Sequence, residues 1–327
     1  MLELSGMLVL VVILALLFDF SNGWHDSANA IATVVSTRVL SPLSAVLLAG
    51  ALNVAGAFMS TAVAKMVGKG IVEPGAINEI VVIAALGGAI LWNLLTLSLG
   101  LPSSSSHALI GGLLGSAFVH GGIEVLKLEG FLKVIKAMIV SPLFGFMMAL
   151  LLMVLLSWLF FRTNRGVAMK LFKRLQLLSA SFMAFSHGAN DAQKAMGIIT
   201  LALLSSGHLQ TAEVPTWVII SCALAMGLGT IMGGWKIIRT LGMNITKLEP
   251  IHGFAAETGA AMVLMTTAQV GLPVSTTHTI TSSIMGVGAI NGLSAVRWGV
   301  TAKIVYAWIF TLPGAAGLAA LIYLLLS

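Results

Sequence analysis

Two short polar strings each occur twice in this 327-residue chain, and they hold residue types that bind ions. The first runs over residues 23–30 and returns 165 positions later, which places Asp26 and Asp191 at equivalent positions. The second is Gly-Leu-Pro followed by hydroxyl residues and a histidine; it runs over residues 100–107 and returns 171 positions later. Two copies of each string indicate a duplicated unit whose polar residues meet at a common site.

The hydroxyl string has the composition of a helix start that binds an anion. Glycine breaks a helix and proline fits the first turn of a new one, so the hydroxyl residues should lie at the N-terminus of that helix. Unpaired backbone N–H groups and the positive end of the helix dipole converge there. Ordinary helix capping is the alternative, but two equivalent copies favour a shared tetrahedral oxyanion. The predicted ligands are Ser104, Ser105, Ser106, Ser275, Thr276 and Thr277.

The aspartate string favours a cation site. Glycine and asparagine stand where a membrane helix should run straight, which predicts a local unwinding with exposed carbonyl groups. Carbonyl oxygens and a carboxylate suit a hard cation such as Na⁺, or they accept a proton. The predicted cation ligands, including those of a possible Na⁺ site, are Asp26, Asn29, Asn190 and Asp191.

Three further polar residues are candidates. Lys194 is the one cation inside the strings, and we expect it to offset an anion's charge, to pair with Asp191 three residues earlier, or both. Gln193 is assigned to the anion together with Lys194. Glu257 lies in an apolar run, where an ionisable group is costly. It either completes a cation site or hydrogen-bonds a neighbouring helix.

The elements that position these strings are membrane helices. Hydrophobic residues make up 58% of the chain and charged residues 9%, against roughly 25% charged residues in soluble proteins. The eight prolines pair in order between the two halves, at spacings of 171–176 residues. We therefore predict an all-α polytopic membrane protein that is built from a duplicated unit and contains discontinuous helices.

Charge patterning divides and orients the chain. We expect a first membrane repeat over residues 1–161, a basic linker over 162–176 and a second repeat over 177–327. The linker holds five basic residues and no acid, which places it in the cytoplasm. An odd number of crossings in each half would then leave both termini outside. The N-terminus lacks the pattern of a signal peptide, and Cys222 is the one cysteine, so no internal disulfide forms.

The strings resemble the signatures of the inorganic phosphate transporter family, called PiT, and within it the bacterial low-affinity phosphate permeases. The matching segments are GWHDSANA at 23–30, GANDAQKA at 188–195, LPSSSSH at 101–107 and LPVSTTH at 272–278. The resemblance covers essentially the whole chain. It implies an inverted-topology repeat with two re-entrant hairpins. It also implies cation-coupled phosphate import by alternating access, in a homodimer of the inner (plasma) membrane. No catalysis is implied, and no cofactor apart from the coupling cation. The expected partners are phosphate and membrane lipid.

The sequence is compatible with either H⁺ or Na⁺ as the coupling ion, and we slightly favour H⁺. Four histidines flank the strings, at His25, His107, His187 and His278. Histidine can exchange a proton near neutral pH, and the alternative is that these side chains simply hydrogen-bond. Abundant oxygen ligands support Na⁺ instead. The alternative functions are transport of sulfate or arsenate, an anion channel and an intramembrane hydrolase. A hydrolase needs just one nucleophile and one base, so it does not explain duplicated sites. No basic patch interleaved with aromatic residues suggests a nucleic-acid partner.

Overall fold

The computed structural model describes residues 5–327, and these residues are built from α-helices. The helices are α1 Gly6–Ser36, α2 Pro42–Ala57, α3 Ala62–Lys69, α4 Glu79–Leu99, α5 Ser105–Gly121, α6 Leu128–Leu159, α7 Arg165–Ser205, α8 Thr216–Met232, α9 Trp235–Arg239, α10 Pro250–Gln269, α11 Thr276–Ala289 and α12 Trp298–Leu326. The predicted all-α class is confirmed, since strand-like pairing in the described residues is limited to an isolated bridge between Val72 and Leu126.

Several helices are long and apolar enough to cross a membrane. In the described part of the chain these are α1, α4, α5, α6 and α12. Two bent pairs each qualify as a further broken span: α2 with α3, bent by 71°, and α8 with the segment beginning at α9, bent by 63°. The predicted polytopic membrane protein with discontinuous helices is therefore confirmed.

The two halves repeat the same order of helices. Pro42 opens α2 and Pro215 is the N-cap of α8, so the two bent pairs occupy equivalent positions. Pro142 inside α6 and Pro313 inside α12 are equivalent as well. Proline inside a helix removes a backbone hydrogen bond and favours a bend. The duplicated pattern of prolines thus corresponds to a duplicated pattern of helix starts and interruptions.

Helices α1 and α7, which carry the aspartate strings, pack together and run antiparallel. At the end of α1, Thr37 Oγ1 donates to Gln176 Oε1 in the early part of α7 at 2.8 Å. Toward the start of α1, Asp19 lies within electrostatic reach of Lys194, toward the end of α7. Antiparallel packing of equivalent helices is what an inverted repeat requires. The inverted relation of the other helices and the re-entrant character of the hairpins stay predictions.

The predicted unwinding of the aspartate strings is wrong. Both strings lie inside unbroken helices, the first in α1 and the second in α7. Their glycines serve close packing instead. A Cβ on Gly23 would lie 2.3 Å from the carbonyl oxygen of Met226 in α8, and one on Gly188 would lie 2.2 Å from that of Asn53 in α2. Small residues let helix backbones approach closely in membranes, so each string joins its half to a helix of the other half.

The basic segment predicted as a linker is helical for most of its length. Asn164 caps α7, and its Oδ1 accepts a hydrogen bond from the backbone N–H of Gly166 at 2.8 Å. The first turns of α7 therefore contain residues 165–176. Arg165 pairs with Glu249, just before α10, at 2.8 Å between Nη2 and Oε1. The boundaries of the two repeats and their orientation in the membrane stay predictions.

Replacing Gly188 with alanine should destabilise the protein by about 1–3 kcal/mol, the usual cost of overpacking, because the added Cβ meets the α2 backbone. Gly317→Ala is the matched control, since it also lies inside a helix and a Cβ there has nothing within 4 Å. The apparent melting temperature in detergent should fall for Gly188→Ala and stay constant for Gly317→Ala. Equal melting temperatures for the two variants would contradict the packing role of Gly188.

Candidate functional site

Each hydroxyl string forms the tip of a helical hairpin, between α4 and α5 in the first half and between α10 and α11 in the second. Gly100 and Gly271 turn the chain with φ values of +67° and +74°, which favour glycine. Ser104 and Ser275 then cap the next helix. Their Oγ atoms accept hydrogen bonds from the backbone N–H three residues later, at 3.2 and 3.1 Å. The expected helix break followed by a new helix N-terminus is confirmed in both copies.

The prolines of the hydroxyl strings differ from the prediction in one respect. Pro102 and Pro273 lie two residues before the N-caps, and not in the first helical turn. Proline fixes its own backbone and pushes the preceding residue away from the helical region. The prolines therefore favour an extended tip, and the hydroxyl residues that follow begin the helix.

The two hairpin tips meet at the carboxylate of Asp26. Ser105 Oγ donates to Asp26 Oδ2 at 2.7 Å, and Thr277 Oγ1 donates to Asp26 Oδ1 at 3.2 Å. Ser106 Oγ donates across to the carbonyl oxygen of Val274, on the opposite tip, at 2.8 Å. One side chain of α1 therefore binds helix N-termini from both halves of the chain.

Asp191 has the corresponding role on α7. Thr276 Oγ1 donates to its Oδ2 at 3.1 Å, and Lys194 Nζ donates to its Oδ1 at 2.5 Å. The predicted ion pair between Lys194 and Asp191 is thus confirmed. His187 Nε2 lies 3.5 Å from Asp191 Oδ2. One ligand atom each from Asp26, His187 and Asp191 lies within 4.8 Å of the others, so both aspartates belong to one cluster.

The asparagines of the two strings complete this cluster. Asn29 Nδ2 donates to the hydroxyls of Thr276 at 3.2 Å and Thr277 at 2.9 Å. Asn190 Nδ2 donates to Thr267 Oγ1 at 3.4 Å. The Oδ1 atoms of both asparagines are buried and accept no hydrogen bond from the described residues. Buried polar atoms are normally paired, so these two oxygens are suited to a coordinated cation or to a donor on a ligand.

The cluster lies in a low-dielectric environment. Asp26, Asp191 and Lys194 are each at most 1% exposed. Two carboxylates and one ammonium group leave an excess of negative charge if both acids are ionised, and burial strengthens that charge's interactions. His25 extends the network, with Nδ1 2.7 Å from Asp26 Oδ1 and Nε2 3.1 Å from Thr96 Oγ1. The site therefore favours a cation, and it accommodates an anion when a cation or proton accompanies it.

Gln193, predicted to bind the anion, is engaged elsewhere. Its Oε1 accepts hydrogen bonds from the backbone N–H groups of Val63 at 2.8 Å and Ala64 at 3.3 Å. Its Nε2 donates to the carbonyl oxygen of Ala189 at 2.5 Å. The amide thus caps α3, the second helix of the first bent pair, and does not contact the hydroxyl strings.

Glu257 also lies apart from the central cluster. Its Oε1 accepts from Thr33 Oγ1 at 2.5 Å and from Gln176 Nε2 at 3.1 Å, and its Oε2 accepts a short hydrogen bond from Ser179 Oγ. Thr33 follows Asp26 by seven residues, which is about 10 Å along a helix. Glu257 therefore hydrogen-bonds side chains of the neighbouring helices α1 and α7, which is the second of the two predicted alternatives. Any role with a cation would be at a position separate from the central cluster.

Two of the four flanking histidines contact the carboxylates, and two do not. His25 and His187 lie beside Asp26 and Asp191, as described above. His107 and His278 contact each other edge to face, with ring centroids 4.5 Å apart, and His278 stacks on Trp308 at 3.9 Å. The latter pair belongs to the packing behind the hairpin tips.

Neither Asn22 nor Asp19 stands out in the sequence as a site residue. Asn22 Oδ1 lies 2.5 Å from Ser105 Oγ, so it contacts the first hairpin tip beside Asp26. The signal that identifies both residues is helical spacing, because they precede Asp26 by four and seven residues on α1 and share its face. The predicted unwinding concealed that periodicity.

Comparison with known proteins identifies the family. The model of the phosphate transporter family matches residues 22–319. The chain belongs to that family. It is 50% identical to a probable low-affinity inorganic phosphate transporter of Rhizobium meliloti (strain 1021), over 97% of this chain and 96% of the relative. It is 46% identical to a relative of the same description from Bacillus subtilis (strain 168), over 98% and 97%.

A solved structure resembles the whole fold. It is described as the sodium-dependent phosphate transporter, and it superposes with a TM-score of 0.91 at 26% identity, covering 98% of this chain and 99% of that one. The predicted resemblance to PiT proteins is therefore confirmed. The family and the relatives indicate an integral membrane transporter of phosphate, and not an enzyme.

Removing single hydroxyls from the two tips should weaken phosphate binding in this family member. A hydrogen bond to a charged group is worth roughly 1.5–3 kcal/mol, so Ser105→Ala and Thr276→Ala should each raise the phosphate Kd by about ten- to a hundredfold. Binding is measured with labelled phosphate on purified protein. Each variant removes a side chain from a different half of the chain.

Ser98→Ala and Thr266→Ala are matched controls for those variants. Both residues are exposed near the ends of α4 and α10, and their hydroxyls donate to backbone carbonyls of their own helices. Their phosphate affinity should equal that of the unaltered protein. Normal affinity in both Ser105→Ala and Thr276→Ala would place the anion elsewhere.

Proposed function

We propose that the chain imports inorganic phosphate by cation symport, with the anion bound between the two hairpin tips. The observation that carries this proposal is the double contact of Asp26 with Ser105 and Thr277. Hydroxyls from both halves thus converge on one oxyanion-like group, a carboxylate. A tetrahedral phosphate presents the same kind of oxygen acceptor to the same donors.

The donors suit phosphate by charge and by geometry. The first backbone N–H groups of α5 and α11 have no partner within their own helices, and both helix dipoles place positive charge at the tips. Ser104 and Ser275 cap these helices, and the hydroxyls of Ser106 and Thr276 add donors. Lys194 supplies a full positive charge once its pairing with Asp191 loosens. We therefore retain these residues as phosphate ligands and leave out Gln193, whose amide caps α3.

The two aspartates require a cation to accompany the anion. Ionised carboxylates at Asp26 and Asp191 repel phosphate, whereas a bound cation or proton removes that repulsion. Cation and phosphate binding should then reinforce each other by linkage. The cation ligands we propose are Asp26, Asn29, Asn190 and Asp191. We leave Glu257 out of the central cation and anion sites, because its contacts are about two helical turns away.

We propose H⁺ as the coupling ion ahead of Na⁺. Buried carboxylates in contact with His25 and His187 provide several exchangeable proton positions. The Na⁺ alternative rests on the two unpaired amide oxygens of Asn29 and Asn190 and on likeness to the sodium-dependent transporter. Either ion satisfies the charge requirement of the site.

Alternating access fits the arrangement of the helices. The antiparallel α1 and α7 carry the aspartates, and the tips of the two hairpins approach these helices. We propose that the two halves exchange conformations around this shared site, as in other repeat-built transporters. We further propose a homodimer in the plasma membrane, surrounded by lipid, with the basic first turns of α7 in the cytoplasm and both termini outside.

Uptake of labelled phosphate into proteoliposomes tests the function. A pH gradient, acid outside, should drive accumulation at least tenfold above the level without a gradient, with no Na⁺ present. If a Na⁺ gradient drives accumulation and a pH gradient does not, the proton is excluded as the coupling ion and phosphate symport is retained. Absence of phosphate uptake under both gradients would contradict the proposed function. Competition of unlabelled arsenate or sulfate with labelled phosphate tests which oxyanions of similar shape the site accepts.

Asp26→Asn should abolish gradient-driven accumulation, because it removes a charge that both hairpin tips and the cation share. The amide keeps the size of the side chain and one acceptor oxygen, so the protein should still fold. Glu213→Gln is the control, since Glu213 is an exposed acid paired with Lys65 outside the cluster. Accumulation at the normal level by Asp26→Asn would rule out the role assigned to Asp26.

A further inference from the structure

Asp19 is a buried acid that is not among the proposed phosphate or cation ligands. Its exposed fraction is 0%. Its polar neighbours are Asn22 and Cys222, and neither makes a well-formed hydrogen bond to the carboxylate oxygens. The other buried acids differ, because Asp26, Asp191 and Glu257 each accept hydrogen bonds from neighbouring side chains. Burial without a well-formed hydrogen bond is rare for a carboxyl group, so Asp19 calls for an explanation.

The position of Asp19 relates it to the transport site. It precedes Asp26 by seven residues on the unbroken helix α1, and Thr33, the partner of Glu257, follows Asp26 by seven. Seven residues are close to two helical turns, or about 10 Å, and they return to nearly the same face. Buried acids therefore lie along α1 on both sides of Asp26. Asp19 is about two turns before it, and Glu257, bound to Thr33, is about two turns after it.

The surroundings of Asp19 connect it electrically to the central cluster. The titratable groups within its reach are Asp191 and Lys194 on α7 and Cys222 on α8. Asn22, one turn further on α1, lies between Asp19 and the first hairpin tip, because its Oδ1 contacts Ser105 Oγ at 2.5 Å. The Nδ2 atom of Asn22 is buried and makes no hydrogen bond to the described residues. Charge at Asp19 thus acts on the same lysine and hydroxyl that we assign to phosphate.

The charge balance of the site decides whether Asp19 is protonated when phosphate is bound. Lys194 donates to Asp191, and its single charge also acts on Asp19, so one ammonium group is shared between these two acids and the phosphate. Three ionised aspartates and a phosphate would face a single ammonium group in a low-dielectric environment. An ionised carboxylate that lacks well-formed hydrogen bonds is far more costly there than a neutral carboxylic acid. The binding of an anion nearby increases this cost further.

We propose that Asp19 is a proton-carrying residue of the transport cycle, protonated when phosphate occupies the site and deprotonated when phosphate has left. The proton comes from the aqueous phase on the side of the membrane where the site is open. It adds to a carboxylate oxygen of Asp19 and is released on the opposite side, while phosphate crosses unchanged. This inference rests on the proposed proton-coupled function.

Asp19→Asn is the principal test, because an amide matches the size and neutrality of a protonated acid. Phosphate exchange between equal concentrations across the membrane should stay within about twofold of the unaltered protein. Accumulation driven by a pH gradient should fall at least tenfold, and the pH dependence of the phosphate Kd should weaken. Ser21→Ala, two residues away, is the control and should behave normally, since its hydroxyl bonds its own helix at Phe18.

The outcomes separate Asp19 from the proposed function as a whole. Normal pH-driven accumulation by Asp19→Asn would overturn the role of Asp19 and leave proton symport intact. Uptake by the unaltered protein that responds to Na⁺ and not to pH would overturn proton coupling, and Asp19 with it. Absence of phosphate transport by the unaltered protein would contradict the function itself.

Infrared difference spectra give a second test on the unaltered protein. Addition of phosphate should produce the C=O band of a newly protonated carboxylic acid, and Asp19→Asn should lack this band. If Asp19→Asn fails to fold, Asp19→Glu replaces it, and the band should then shift in frequency. Absence of the band from the unaltered protein, or a band unmoved in Asp19→Glu, would overturn the proposal.

Discussion

The hydrogen bonds of Asp26 to both hairpin tips are the interaction on which the rest of the structure depends. They join Ser105 of one half and Thr277 of the other to a single carboxylate. Polar tips of this kind are tolerated within a membrane when their hydroxyls and backbone groups have partners. The helices on either side of each tip, α4 and α5 or α10 and α11, therefore converge on α1.

Close packing makes this convergence possible. Gly23 and Gly188 flank the aspartate cluster on α1 and α7 and allow the backbones of α8 and α2 to approach. Each half thus contributes a helix that supports the aspartate string of the other. Motion of one half against the other must then change the surroundings of Asp26 and Asp191 together, which is the mechanical basis of the proposed exchange between outward and inward states.

Much of the site is predictable from the sequence, because duplication marks residues that a single occurrence would not. The hydroxyl strings, both aspartates and the ion pair of Lys194 with Asp191 follow from spacing and residue type. The role of Gly23 does not follow from the sequence, because glycine serves both unwinding and close approach, and the partner backbone of α8 is distant in sequence. Gln193 could not be assigned for the same reason, since the helix that it caps comes 130 residues earlier.

The most direct test of the shared site is the position of a bound oxyanion. Arsenate has the shape of phosphate and scatters anomalously, so a crystal structure of the complex would locate it by its arsenic atom. The arsenate oxygens should lie within hydrogen-bond distance of Ser105 and of Thr276 or Thr277, contacting both hairpin tips at once. Arsenate bound to one tip alone, or away from Asp26, would contradict the account.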